Sequence, residues 1–157
     1  MDLGKIVLRV AAKSVQGTGA PKMPRSMMIK DVASSVKRAF RKYGESWGGK
    51  LYRAGTDGSY FHTSREGAEF YETPDAAVEE FPIPSFSRTI LIDMDNEDHI
   101  GYIHALMGVD DPNLVDDIST LIEEARPKLR ELGFDGMVID GETGRGVEGV
   151  PVEVVKL

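Results

Sequence analysis

Apolar positions along the chain fall into two rhythms, one helical and one strand-like. Leu3, Ile6, Val7, Val10 and Val15 recur near helical spacing with Lys5, Arg9 and Lys13 among them, which predicts a short amphipathic helix that ends where Gly17 and Gly19 break the pattern. Residues 16–24 read as a linker. A second helix is predicted over 31–43, because Val32, Val36, Phe40 and Tyr43 share one face and Gly44 stands where a C-cap belongs. Trp47, Gly48 and Gly49 form a turn ahead of Leu51-Tyr52, the expected first strand of the main domain.

The rhythm then alternates. Residues 59–62 are strand-like, and Ser64 is a candidate N-cap for a helix through Glu66, Ala68, Phe70 and Tyr71. Thr73-Pro74-Asp75 is expected to start another short helix by the cap-then-Pro rule. Residues 88–93 (RTILID) predict a strand followed by an acidic loop. The longest stripe, Leu114, Ile118, Leu121, Ile122, Ala125, Leu129 and Leu132, predicts a helix over 113–132 that Pro127 should kink or split. Gly133 ends it, residues 136–140 (GMVID) form a strand, residues 141–146 turn, and 147–157 close with a last strand. Short strands mixed with helices, without regular βαβ spacing, give an α+β fold rather than a doubly wound sheet.

Length and charge divide this pattern. At 157 residues the chain suits one globular unit. Residues 1–50 hold eleven Lys/Arg against three acids, about +8, and residues 51–157 hold eight against twenty-three, about −15. The expected organisation is therefore a basic helical N-terminal arm over 1–47 and a main domain over 48–157. The arm docks on its own acidic body or is solvated, and weak contact with nucleic acid is the most it offers, since few aromatics are interleaved with its basic groups. No apolar run approaches the roughly 18 residues of a membrane span, so no membrane partner is expected. Residues 1–15 lack the uninterrupted apolar region of a secretory signal, and a cytoplasmic location is the default expectation. With no cysteine, disulfides, thiolate zinc sites and a cysteine nucleophile are excluded.

No Walker A motif occurs, His62, His99 and His104 lack metal-site spacing, and the acidic run from Asp93 to Asp98 has Asp where a calcium loop needs Gly. No metal is expected.

An ordered set of short motifs remains: Leu51-Tyr52-Arg53-Ala54-Gly55, then Tyr60-Phe61-His62-Thr63-Ser64 with Ala68 and Tyr71 following, then Gly136-Met137-Val138-Ile139-Asp140 ahead of Glu148. Over residues 50–157 this set resembles the ADP-ribosyltransferase superfamily, with features of its polymerase, toxin and phage polyvalent-protein branches. The resemblance implies a split, curved sheet and NAD as substrate, with ADP-ribose passed to a macromolecular acceptor, most simply a protein side chain. It also implies a phage or mobile-element setting.

By the same resemblance Glu148 is the catalytic carboxylate, with Glu142 and Glu153 as competitors. Arg53 is catalytic and binds the dinucleotide, and Tyr60, Ser64 and Tyr71 complete the NAD site. The chemistry accounts for these residue types. A carboxylate stabilises the oxocarbenium-like ribose, a guanidinium pairs with pyrophosphate, and two tyrosines stack on nicotinamide. Each residue also has a plain reading: Arg53 as a surface ion pair, Ser64 as a helix cap, Tyr71 as half-buried core, His62 as structural or an adjunct. Water as acceptor would make the protein an NAD glycohydrolase, and an inert domain would be a virion or interaction module.

Overall fold

The computed structural model describes residues 21–55, 60–69, 71–109, 118–140 and 152–157. The helix expected over 3–15, the GETGRG turn, Glu142 and Glu148 lie outside these residues.

The strands form one sheet, in the order β1-β5-β6-β7-β3-β2-β4. They are β1 (Met28–Ile29), β2 (Leu51–Ala54), β3 (Tyr60–His62), β4 (Val78–Phe81), β5 (Thr89–Asp93), β6 (Gly136–Asp140) and β7 (Val152–Lys156). β5 and β6 run parallel and the other neighbours are antiparallel. The α+β class holds, with all seven described strands in one mixed sheet.

Helices cover both faces. On one, α1 (Val32–Lys42) lays Val32, Val36, Ala39 and Phe40 against Leu51, Phe61, Val138, Val152 and Val154. On the other, α3 (Glu97–Leu106) and α4 (Ile118–Glu131) pack Ile103, Leu121, Ile122 and Leu129 over Ile90, Ile92, Met137, Ile139 and Val155. β6 is buried at all five positions because both of its faces are covered.

α1 begins as its sequence signals. The Asp31 carboxylate accepts from the backbone N–H groups of Ala33 and Ser34, both at 3.3 Å. It is not part of a separate arm. Val36 and Phe40 are 0% and 6% exposed, β1 pairs with β5, and Lys42 reaches Asp140 at 2.7 Å and Asp93 at 3.5 Å at the carboxyl ends of β6 and β5. Charge marks a boundary near residue 47; packing does not, because the apolar stripe of α1 packs on β6 and β7.

Three further departures have local causes. Thr73-Pro74-Asp75-Ala76 is a tight turn, not a helix: Thr73 and Ala76 exchange N–H···O=C bonds of 3.2 and 3.0 Å, and β4 follows. Proline at the second position serves a β-turn as well as a first helical turn, since both require φ near −65°. The acidic run after β5 is a helix start, in which Asn96 Oδ1 accepts from the N–H groups of Asp98 and His99 at 2.9 and 3.3 Å. Glu97 and Asp98 lie in that first turn, where the helix dipole favours negative charge.

α4 runs on through Pro127 and ends at Gly133. Gly133 takes φ +97°, with Gly133 N–H bonded to Arg130 O at 2.9 Å and Phe134 N–H to Leu129 O at 3.1 Å. Short helix α2 (Arg65–Glu69) is started by Ser64, whose Oγ accepts from Gly67 N–H at 3.1 Å.

Replacing Phe40 by Ala is expected to cost about 3 to 4 kcal/mol in denaturant unfolding, the scale of a buried aromatic lost from a core. Removal of residues 1–45 should abolish the cooperative transition. A truncated chain that still unfolds cooperatively would show that α1 is dispensable.

Candidate functional site

Three adjacent strands bring the candidate residues together. His62 on β3 stands opposite Tyr52 on β2 and opposite Glu153 on β7, and Glu153 stands opposite Ile139 on β6. Directly paired residues of antiparallel strands point to the same face. Tyr60, two residues before His62, shares that face, the one covered by α4. Here lies a cleft of about 410 Å³ whose described lining is Arg53, Ala54, Tyr60, His62, Tyr71 and Glu153, within the roughly 300–1,000 Å³ of small-molecule sites. Arg53, Tyr60 and Tyr71, expected to act together, border one cavity.

Each wall is held differently. The Tyr60 hydroxyl donates to Glu123 on α4, and the Arg126 guanidinium lies 5.6 Å from its ring centroid. Arg126 in turn donates to Glu123 at 2.7 Å and to the Lys156 carbonyl at 3.1 Å. Burial, reinforced by the Glu123 carboxylate, pushes the Tyr60 phenol well above its ordinary range. Burial opposes the charge on Glu123, yet the bonds from Tyr60 and Arg126 hold its carboxylate below the usual value. Tyr60 is thus fixed at its polar end and offers its ring. Tyr71 follows α2, is 52% exposed, and stacks on the His62 ring at 5.3 Å and 21°.

Glu153 is the described carboxylate of the cleft. Its side chain is 23% exposed, and Oε2 lies 3.6 Å from His62 Nδ1. Burial first, and the negative charge of Glu123 second, push its carboxyl up to about 7. Burial pushes the His62 imidazole down, and its Nδ1 has no hydrogen-bond partner among the described residues. The close approach of the two groups pulls the other way, toward carboxylate and imidazolium.

Two expected site residues sit elsewhere in this geometry. Arg53 borders the cleft, but its guanidinium carbon lies 4.7 Å from the ring centroids of both Phe61 and Phe81, and its Nε donates to Gly55 O at 3.2 Å. Phe61 belongs to the α1 face, so the head of Arg53 turns to the far side of the sheet from Tyr60 and His62. Ser64 spends its hydroxyl oxygen capping α2, outside the described lining. Sequence reading did not select Ala54, Glu123 or Arg126. The Glu123-Arg126 step, three residues apart on a helix, was a readable signal for an ion pair but not for its reach to Tyr60.

The Glu153 carboxyl titrates near 7 in the fold and near 4.5 when unfolded, so the native state binds the extra proton between these values and stability falls as pH rises through that window. About 3 kcal/mol is lost by pH 8. Glu153→Gln is expected to remove this slope and raise the melting temperature at pH 8. An unchanged pH dependence in urea unfolding would contradict a carboxyl whose ionisation the fold opposes.

Among the described residues no helix is long and apolar enough to cross a membrane. In comparisons with protein-family models, curated proteins and solved structures, nothing matches this chain.

Proposed function

We propose that the cleft binds NAD and breaks its bond between nicotinamide and ribose, passing ADP-ribose to a macromolecular acceptor in the manner of ADP-ribosyltransferases. The observation that carries this reading is the row Glu153, His62, Tyr52 across β7, β3 and β2. It sets a carboxylate from the last strand beside the strand of Tyr60, next to the strand of Arg53. These are the three strands on which the resemblance requires the carboxylate, the tyrosine and the arginine, and they are neighbours in one sheet.

The chemistry follows from the walls. The rings of Tyr60 and Tyr71 give the nicotinamide two aromatic surfaces, and offset stacking holds a flat ring while its glycosidic bond lengthens. As nicotinamide departs with the bonding electrons, positive charge develops on the ribose carbon. A carboxylate fixed in a water-poor cleft stabilises that charge far better than one in bulk water. Glu153, one of the competitors of Glu148, is the described carboxylate that lines the cleft, and it takes this role in the proposed reaction. Arg53 belongs to the mouth of the cleft; to pair with the pyrophosphate its head must leave Phe61 and Phe81, a stacking worth on the order of 1 kcal/mol per ring. Ser64 orders α2 and through it Tyr71.

Nicotinamide release from NAD, followed by chromatography, tests the reading. Glu153→Gln is expected to lower the rate by about 10²-fold or more, with NAD affinity in calorimetry changed by less than about threefold. Glu148→Gln and Glu142→Gln run alongside. A dead Glu148→Gln with a fully active Glu153→Gln would move the catalytic carboxylate out of the cleft, and a wild-type chain that neither binds nor cleaves NAD would end the proposal.

A further inference from the structure

Resting on this reading, we infer that His62 is the residue that arms Glu153: it takes the carboxyl proton onto Nδ1, so that a carboxylate faces the substrate while the imidazolium stays behind it. The geometry is specific. His62 is 7% exposed, its Nδ1 is buried and lacks a hydrogen-bond partner among the described residues, and the nearest acidic oxygen is Glu153 Oε2 at 3.6 Å. Tyr71 stacked on one face of the imidazole and the register opposite Tyr52 fix the ring in place. Nδ1 is sealed from solvent, so this nitrogen acts through Glu153, and His62 is a positioning and proton-holding residue.

A lone carboxyl in this cleft has a difficulty that the pair removes. Burial raises the carboxyl and lowers the imidazole, so each charged form alone is disfavoured, and only their attraction across 3.6 Å favours ionising the two together. Proton transfer from Glu153 to His62 yields carboxylate and imidazolium with no change in net charge, so the cleft bears the ionised form without importing a counter-ion.

The remaining groups around the pair do not take its place. Glu123 on α4 is the nearest further carboxylate, but Tyr60 and Arg126 bind it. Arg65 of α2 lies over the Tyr52 ring at 5.4 Å, and the head of Arg53 lies over Phe61 and Phe81. Tyr52, Tyr60 and Tyr71 bring rings and hydroxyls.

The reaction then balances. The bond from the ribose carbon to the nicotinamide nitrogen breaks with its electron pair leaving on nicotinamide, and the acceptor oxygen or nitrogen forms the new bond to that carbon. The acceptor's proton passes to the Glu153 carboxylate. The pair, now doubly protonated, releases one proton to water and returns to its starting state.

Two measurements test the inference. In the pH profile of NAD cleavage, His62→Gln is expected to move the acid limb up by about one pH unit or more, a loss of about tenfold at pH 6 that shrinks as pH rises to 9. A merely structural role would lower the rate equally at every pH, and that result would overturn the inference. The second measurement needs no NAD: the side-chain carboxyl of Glu153, carbon-13 labelled and followed by NMR, should titrate at higher pH in His62→Gln than in wild type. The same midpoint in both proteins would overturn proton sharing. A shifted midpoint in a chain that cleaves no NAD would uphold the couple and sink only the function assigned to the cleft. His62→Asn is the second variant if His62→Gln fails to fold, with the same outcomes.

Discussion

β7 is hydrogen-bonded on both sides, and its register on β6 and β3 is the constraint on which both the core and the cleft depend. In that register Val152 and Val154 enter the α1 face beside Phe40, Leu51 and Phe61, while Glu153 faces the cleft opposite His62. A slip by one residue would exchange the faces, because side chains alternate strictly along a strand. Glu153 would then lie unpaired among aliphatic and aromatic groups, and two valines would fill the site. The same apolar packing that stabilises the sheet thereby holds the carboxylate where it is costly to ionise, and this cost is what makes it chemically distinctive.

The cleft's two ends are held by different contacts. Around Tyr60 the network of Glu123, Arg126 and the Lys156 carbonyl ties β3, α4 and β7 together, so that wall is built from three elements at once. Tyr71 leans on His62 from a short segment after α2 and is half exposed. The cleft thus has one ring bonded at its polar end and one ring half open to solvent.

Much of this was readable in the chain, for definable reasons. α1, β2, β3, β5 and β6 follow from periodicity and from caps such as Asp31 and Gly133, which act locally. The meeting of Tyr60 with Tyr71 follows from motif order. β4 escaped because its inner residues, Glu79 and Glu80, are exposed charges on an edge strand, so no apolar alternation announces it. α3 escaped because an acidic run reads as loop unless Asn96 is recognised as a cap. That Glu153 faces the cleft was beyond local reading, because only the pairing of β7 with β3 decides which face of the strand is the cleft. Basic charge misplaced the domain boundary because charge reports the solvated side of α1, whereas Val36 and Phe40 report where it packs.

Titration of the nitrogen-15 labelled protein with NAD, read as backbone shift changes, tests the central claim most directly. The account predicts saturable changes concentrated at Ala54, Tyr60, His62, Tyr71 and Glu153, with the groove beside Arg41 and Trp47 on the α1 side unaffected. Changes centred on that basic groove, or none at millimolar NAD, would contradict it.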